Sequence, residues 1–212
     1  MLQPIISELS SMRIILASGS PRRKNVLSKI GLKFEVVPSK FEENLDKSSF
    51  NSATDYVKET ALKKAEEVAE RLQGANQPDL IIGADTVVTL GDTILEKPRD
   101  DQHAFEMLSQ LNGSTHYVHT GVVLLTPKNG GDKTFDKVQF HQTTEVKLAD
   151  LSPEIIRAYI ATGEPLDKAG GYGIQEMGGT LVQSISGDYF NVVGFPLHSF
   201  CKHLLLLLGK NN

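Results

Sequence analysis

Cysteine is nearly absent from this chain of 212 residues, which contains only Cys201. An internal disulfide and a cysteine metal cage are therefore both excluded. Long apolar runs are also missing, because the longest leucine run covers only residues 204–208 and is far too short to span a bilayer. We find no secretory signal peptide pattern. These absences predict a protein of the reducing cytoplasm that has no membrane partner.

A strong excess of either charge is absent as well. The chain has 22 Lys and Arg against 26 Asp and Glu, which gives a formal net charge of −4. We therefore expect no nucleic-acid partner, and an anionic ligand would need a local basic cluster. The 40% share of hydrophobic residues is typical of a globular protein. The length suits one large domain or two closely joined lobes.

Several common enzyme motifs are missing too. The sequence has no P-loop, no H-E-x-x-H metalloprotease motif and no G-x-S-x-G hydrolase motif. The glycine-rich passage at residues 169–173 follows a predicted helix rather than a first strand. Its spacing also differs from the dinucleotide-binding fingerprint, so a Rossmann interpretation is rejected.

The order of predicted elements indicates a mixed α/β protein. Strands and helices alternate through the first half, and the second half is richer in strands. We expect a twisted sheet with flanking helices and a cleft between two parts. The patterns predict strands at residues 12–17, 33–38, 79–90, 117–126, 134–148 and 181–185, and helices at 26–30, 53–72 and 101–111 and after Ser152 and Pro196.

A basic turn at residues 18–23, Ser-Gly-Ser-Pro-Arg-Arg, follows the first strand. Ser20 is placed to cap the next helix, and Pro21 suits its first turn. Two arginines and Lys24 in that first turn have the wrong charge for the positive helix end. A phosphate bound there would explain them, because helix N-termini attract anions. A solvated basic turn is the simpler interpretation of this segment alone.

Asp85 interrupts a strand whose neighbours are almost all apolar. Such a strand is expected to be buried on both faces, where a carboxylate is costly unless it is paired, hydrogen-bonded or bound to a metal. We interpret Asp85 as a metal ligand, a base or both, in preference to a strand-end residue that caps a turn.

Three charged positions are ambiguous on sequence alone. Lys64 lies within the apolar stripe of the long helix, so it either snorkels at the edge of the stripe or reaches inward towards a phosphate. Lys97 has an extended backbone because Pro98 follows it, and a charged surface turn is the simpler interpretation. Glu43 resembles part of a solvated acidic loop and gains meaning only if it converges on a cation.

Gln175 closes a segment of small residues, Leu166 to Gln175, where backbone could approach a flat ligand. Its amide both donates and accepts hydrogen bonds, which suits the edge of a nucleobase.

Five of these segments together resemble the Maf family of nucleotide pyrophosphatases. They are residues 16–23, 61–65, 83–88, 95–98 and 165–175, and they occur in family order over nearly the whole chain. The resemblance implies an α/β fold of the inosine-triphosphatase-like kind, with two lobes around a central cleft, and often a homodimer. It implies hydrolysis of a nucleoside triphosphate to the monophosphate and pyrophosphate with a divalent metal cation, Mg²⁺, Mn²⁺ or Co²⁺.

The resemblance also implies roles for single positions. Asp85 matches the catalytic acid/base aspartate, and Glu43 and Asp85 match positions associated with the metal. Three of the substrate positions, Arg22, Thr86 and Gln175, match residues linked to base selection. The full set that the resemblance places at the substrate is Ser18, Ser20, Arg22, Arg23, Lys64, Thr86, Lys97 and Gln175.

The same segments resemble the family branch that acts on dTTP and UTP. Two alternatives stay open: a 7-methyl-GTP or purine triphosphate pyrophosphatase, and a nucleotide-binding regulatory protein without catalysis. We predict an N-terminal extension at residues 1–11 and a single Maf-like domain at 12–212. Some details resemble animal members that are fused to a methyltransferase-like domain, which would make a longer parent protein an option.

Overall fold

The computed structural model describes residues 2–72, 74, 77–128 and 134–209. These residues form seven α-helices and one seven-stranded sheet, which confirms the mixed α/β prediction. The helices are α1 (Ile6–Ser11), α2 (Pro21–Lys29), α3 (Ala53–Arg71), α4 (Asp101–Leu111), α5 (Pro153–Ile160), α6 (Tyr189–Val193) and α7 (Leu197–Leu207). The strands are β1 (Ile14–Leu16), β2 (Glu35–Val36), β3 (Leu80–Leu90), β4 (Thr93–Leu95), β5 (Thr115–Pro127), β6 (Phe135–Leu148) and β7 (Val182–Ser186).

Local signals explain where the helices begin and end. Helix α3 begins after Ser52, whose hydroxyl accepts a hydrogen bond from the Asp55 amide at 3.1 Å, as a capping side chain does. Helix α4 begins after Asp100, whose carboxylate accepts from the His103 amide at 2.8 Å. It ends before Gly113, whose positive φ of 63° favours glycine.

The sheet has the order β2-β1-β3-β5-β6-β7, and β4 pairs with β3. Strand β1 runs parallel to both β2 and β3, whereas β4 is antiparallel to β3 and β7 is antiparallel to β6. The sheet is therefore mixed. The chain divides into two compact units. The first is Met1–Asp85, Thr120–His141 and Gly194–Asn212, and the second is Thr86–His119 and Gln142–Val193.

The core of the first unit is the apolar stripe of α3 packed on β1, β3 and β5. Ala61, Ala65 and Val68 are fully buried against Ile81 and Val123. Each large apolar side chain buried in this way contributes about 1.5–3 kcal/mol. This packing places β3 directly beneath the helix that carries Lys64.

Two glycines let α3 approach the sheet closely. A Cβ atom built on Gly83 of β3 would overlap the carbonyl oxygen of Ala61 and lie 2.9 Å from the Ala65 Cβ. A Cβ atom on Gly121 of β5 would lie 2.5 Å from the Val57 carbonyl oxygen. Because side chains alternate along a strand, Asp85 points to the same face as Gly83, towards α3.

We expect the substitution Gly83→Ala to lower the free energy of unfolding by about 1–3 kcal/mol, because helix backbone must move to admit the methyl group. Urea denaturation measures this change. Gly19→Ala is the matched control, since its Cβ would meet Pro38 at an ordinary 3.6 Å. Equal stability of the two variants would contradict the close approach of α3 to β3.

The second unit has its own core beneath α4 and α5. Met107, Leu108 and Leu111 of α4 pack with Ile156 of α5 and with Val146 of β6. The hydroxyl of Tyr172 lies 2.6 Å from Nε2 of His116, which is fully buried on β5.

Burial lowers the pKa of His116 from 6.5 to about 4. The unfolded chain therefore binds a proton at His116 below pH 6.5, while the folded chain stays neutral there until about pH 4. The free energy of unfolding therefore has its full value, as far as His116 is concerned, above pH 6.5. It decreases as the pH falls from 6.5 to about 4, because only the unfolded chain binds the proton. The loss amounts to about 3 kcal/mol.

We therefore expect the unfolding free energy of the parent to fall more steeply between pH 6.5 and 4 than that of His116→Gln. Chemical denaturation at a series of pH values measures both slopes. His198→Gln, which removes an exposed histidine of α7, controls for the loss of an imidazole. Identical slopes for the parent and His116→Gln would show that the buried histidine is not held neutral.

The structure corrects some sequence expectations. The predicted strand at 33–38 shrinks to the two exposed residues of β2, an edge strand with Pro38 close behind. Helix α6 was not predicted. The N-terminal extension contains a short helical turn, Gln3–Ile5, and α1, with Leu2, Ile5 and Leu9 buried. The sequence Asn129-Gly130-Gly131 predicts a hairpin turn between the strands at 117–126 and 134–148, and these three residues lie outside the described part of the chain.

Across the part of the chain that the structure describes, no helix has both the length and the apolar character needed to cross a bilayer.

Candidate active site

A buried ion pair joins α3 to β3 in the first unit. The Lys64 Nζ atom donates to Oδ1 of Asp85 at 2.8 Å, and the two side chains are only 11% and 8% exposed. The Lys64 side chain therefore points inward and does not snorkel at the edge of the stripe, while its contact with a phosphate stays a prediction. Asp85 is not a capping residue at the end of a strand, because β3 continues to Leu90. Such a buried ion pair requires both partners, because removing either one leaves an uncompensated buried charge.

Glu43 shares the same ammonium. Its Oε1 atom lies 2.8 Å from the Lys64 Nζ atom, while 45% of its side chain is exposed. The acidic loop is therefore tied to the buried pair rather than merely solvated. Two carboxylates from segments far apart in sequence thus meet at one lysine.

Arg23 is a second buried cation in this unit, with only 9% of its surface exposed. Its Nη1 atom donates to the Ser18 hydroxyl at 2.9 Å, and its Nε atom donates to the Gly194 carbonyl at 3.0 Å. The Ser18 hydroxyl also accepts from the Ser20 amide at 3.3 Å. Arg23 is therefore locked to the turn before α2 and to the segment before α7.

The expected capping bond from Ser20 is not formed. Ser20 does precede α2, and Pro21 occupies the first turn, but the Ser20 side chain accepts no hydrogen bond from the helix. The backbone of the turn is held by Ser18 instead. The Ser20 hydroxyl is thus not committed to the helix end.

The electrostatics of the unit link its buried groups. Burial raises the pKa of Asp85, and the positive charges of Lys64 and Arg23 oppose that rise. Burial lowers the pKa of Arg23, and the charge of Asp85 opposes that fall. Buried charges that depend on one another in this way are more frequent at functional sites than in ordinary cores.

The other predicted site residues have separate positions. Arg22 is half-buried in the first turn of α2. In the second unit, Thr86 is half-buried on β3, and Lys97 and Gln175 are exposed in loops. The contacts described above join Ser18, Ser20 and Arg23 as one set and Glu43, Lys64 and Asp85 as another. The roles of all these residues at a substrate or a metal stay predictions.

The carboxylates of Glu43 and Asp85 supply oxygen atoms, the type of ligand that a hard divalent cation prefers. Among the described residues, no group of three or more His, Cys, Asp or Glu side chains could hold a metal by itself. Mg²⁺ is commonly held by one or two carboxylates, with water and substrate phosphates completing its shell. Glu43 and Asp85 fit that pattern, because each places a carboxylate oxygen 2.8 Å from the Lys64 Nζ atom.

Sequence reasoning missed Gly194 as a partner of Arg23. The two residues are 171 positions apart, and a backbone carbonyl acceptor leaves no trace in side-chain patterns. Gly194 adopts a positive φ of 110°, which favours glycine, so the glycine itself is the one trace that this position leaves in the sequence.

Residues 13–206 match the family model described as Maf-like protein. The chain belongs to the Maf family. It is 47% identical over 194 residues to a dTTP/UTP pyrophosphatase of Clostridium perfringens, covering 91% of this chain and 96% of that one. This Maf chain is also 52% identical over 209 residues to a human protein named "Probable bifunctional dTTP/UTP pyrophosphatase/methyltransferase protein". That match covers 97% of this chain and 34% of the human one, so the chain spans about a third of that relative.

A solved structure agrees with the Maf chain in fold. A HAM1 protein from Coxiella burnetii matches with a TM-score of 0.50 over 92% of this chain and 99% of that one. The two are only 15% identical, so the likeness concerns the fold alone.

Proposed function

We propose that this Maf chain hydrolyses dTTP and UTP to the nucleoside monophosphate and pyrophosphate. One observation carries the proposal: the buried Lys64–Asp85 pair, with Glu43 on the same ammonium, lies in a chain 47% identical to a named dTTP/UTP pyrophosphatase. A buried carboxylate among cations is costly as scaffolding and is useful in the hydrolysis of a polyanion.

The chemistry assigned to the site is attack of water on the α-phosphorus, with pyrophosphate as the leaving group. Asp85 orients that water or takes its proton. Burial raises the pKa of Asp85, which makes it a better proton acceptor than an exposed aspartate. The Lys64 ammonium holds the carboxylate in place through the 2.8 Å hydrogen bond.

The cations offset the charge of the triphosphate. An ammonium has three N–H donors, and Glu43 and Asp85 engage two of those of Lys64, which leaves one for a phosphate oxygen. The positive charge of Arg23 is fixed in position because Ser18 and Gly194 accept hydrogen bonds from its guanidinium. By resemblance, Arg22 and Lys97 add further positive charge, which stabilises the transition state when it is aimed at developing negative charge.

Glu43 and Asp85 would hold the divalent cation that the family resemblance implies, Mg²⁺, Mn²⁺ or Co²⁺. When bound, such a cation supplies Lewis-acid polarisation of the phosphate oxygens. Each carboxylate places one oxygen 2.8 Å from the Lys64 Nζ atom, and the positive charge of Lys64 limits their mutual repulsion.

Choice of the base is assigned to Arg22, Thr86 and Gln175. The exposed amide of Gln175 donates and accepts hydrogen bonds, as reading the edge of a pyrimidine base requires. A site that hydrogen-bonds its substrate discriminates strongly against an analogue that leaves those groups unpaired.

Further parts of the proposal concern assembly and setting. We assign one Maf-like domain over residues 12–212, a homodimer and a cytoplasmic location, and we keep open a longer parent with a methyltransferase-like domain. The length of the human relative supports the last point, since this chain covers 34% of it. Light scattering of the purified chain measures the oligomer.

The test of the function is a panel of single triphosphates incubated with the protein and Mg²⁺ or Mn²⁺. We expect dTTP and UTP to release pyrophosphate fastest and the nucleoside monophosphate to form in equal amount. Preference for 7-methyl-GTP or a purine triphosphate would overturn the base assignment. Binding without release of pyrophosphate from any triphosphate would make the chain a nucleotide-binding protein instead.

A further inference from the structure

The carboxylate of Glu164 accepts hydrogen bonds from backbone amides of a loop in the second unit, residues 173–178. Its Oε2 atom accepts from the Met177 amide at 3.0 Å, and its Oε1 atom accepts from the Gly178 amide at 3.1 Å. The Tyr159 hydroxyl of α5 donates to the same Oε1 atom at 2.9 Å. Three hydrogen bonds thus converge on one half-buried carboxylate that no part of the proposed chemistry uses.

Tyr159 extends this arrangement to the other side of the loop. Its hydroxyl oxygen accepts from the Gly173 amide at 3.3 Å. The backbone is therefore held at Gly173 and again at Met177 and Gly178, on either side of the exposed Gln175. Space there is tight, because a Cβ atom on Gly178 would lie 2.6 Å from the Tyr159 hydroxyl oxygen.

Lys168 packs against the loop. Only 5% of its surface is exposed, and its ammonium donates to the Glu164 carbonyl and to the Asp167 carboxylate, each at 2.8 Å. Its aliphatic stem occupies the space that a Cβ atom on Gly173 would need. The same ammonium lies 3.6 Å from the Glu176 carboxylate, so Lys168 links the Glu164 segment to the loop.

We propose that Glu164, acting with Tyr159, is a positioning residue that sets base selectivity by holding Gln175 in place. The inference rests on the proposed function, which assigns Gln175 to the base. Hydrogen-bond readout of a base requires the reading group to be held within a fraction of an ångström. Gln175, Glu176 and Met177 are all exposed, and the Glu176 side chain adds only a longer ion pair with Lys168, at 3.6 Å.

The test compares two variants with a matched control. Glu164→Gln keeps one acceptor oxygen but turns the other into an amide nitrogen that cannot accept from a backbone amide. Tyr159→Phe removes only the hydroxyl, so it is the milder variant if the first folds poorly. Asp150→Asn is the control, because it makes the same carboxylate-to-amide change at an exposed residue of the second unit, away from this loop.

Two readouts separate positioning from general damage. Hydrogen exchange of the amides at 173–178 needs no activity, and we expect it to accelerate about tenfold or more in both variants but not in the control. The ratio of kcat/KM for dTTP to that for GTP should fall about tenfold in both variants. General loss of structure would lower both rates together and leave the ratio unchanged.

These measurements distinguish a failure of the positioning role of Glu164 from a failure of the proposed function. Unchanged exchange in both variants would show that Glu164 does not hold the loop. Faster exchange with an unchanged base ratio would show that the hold has no part in selectivity. A parent protein that releases pyrophosphate from no triphosphate overturns the proposed function, and the selectivity claim with it.

Discussion

Replacing Asp85 with asparagine lowers the turnover number for pyrophosphate release from dTTP by at least about 10²-fold, the usual loss when a general base is removed. Asparagine has nearly the same shape, and its oxygen can still accept the hydrogen bond from Lys64. It cannot take a proton from water, and it loses the negative charge that a cation requires. Because Glu43 still pairs with the Lys64 ammonium, the defect appears in turnover more than in folding.

Steady-state measurement of pyrophosphate gives kcat and KM for the variant and the parent. Asp92→Asn is the matched control, since it makes the same change in an exposed turn after β3 and should keep the activity of the parent. If Asp85→Asn turned over dTTP at nearly the parental rate, Asp85 would be neither base nor metal ligand.

The second large effect is expected at Lys64. In Lys64→Met the Asp85 carboxylate stays buried without its partner, and breaking a buried pair in this way costs about 3–5 kcal/mol. Turnover should also fall by at least about 10²-fold, because a charge that stabilises the transition state is lost. Urea denaturation gives the stability, and the pyrophosphate assay gives the rate.

Two further variants make this prediction specific. Lys63→Met changes the neighbouring lysine, whose side chain is 41% exposed beside Glu66, and should alter stability by less than about 1 kcal/mol. In the double variant Lys64→Met/Asp85→Asn the buried charge is gone, so much of the lost stability should return. A double variant less stable than Lys64→Met alone would mean that Asp85 was not left uncompensated.

The sequence was informative where a residue contradicted its local pattern. Asp85 in an apolar strand and Lys64 in an apolar helix stripe each violated the expected burial of charge, and the structure pairs them at 2.8 Å. Neither position alone revealed the partner, because pairing depends on the approach of α3 to β3. Helix bounds were also well predicted at α3 and α4, where capping side chains mark the start.

Predictions from sequence failed where tertiary contacts decide the outcome. Ser20 has the residue type of a helix cap, yet Ser18 holds the turn because its hydroxyl also binds Arg23. Glu43 looked like a solvated residue because nothing local indicates that its loop returns to Lys64. The tie from Glu164 to the Met177 and Gly178 amides was invisible for the same reason, since backbone amides carry no sequence signature.

Hydrolysis in water enriched in the heavy oxygen isotope shows which phosphorus atom of the triphosphate the water attacks, and we assign the attack to the α-phosphorus. Mass spectrometry of the products locates the isotope after dTTP and a divalent cation are incubated with the protein. We predict one heavy oxygen in the thymidine monophosphate and none in the pyrophosphate. Label in the pyrophosphate, or products of diphosphate and inorganic phosphate, would contradict this assignment.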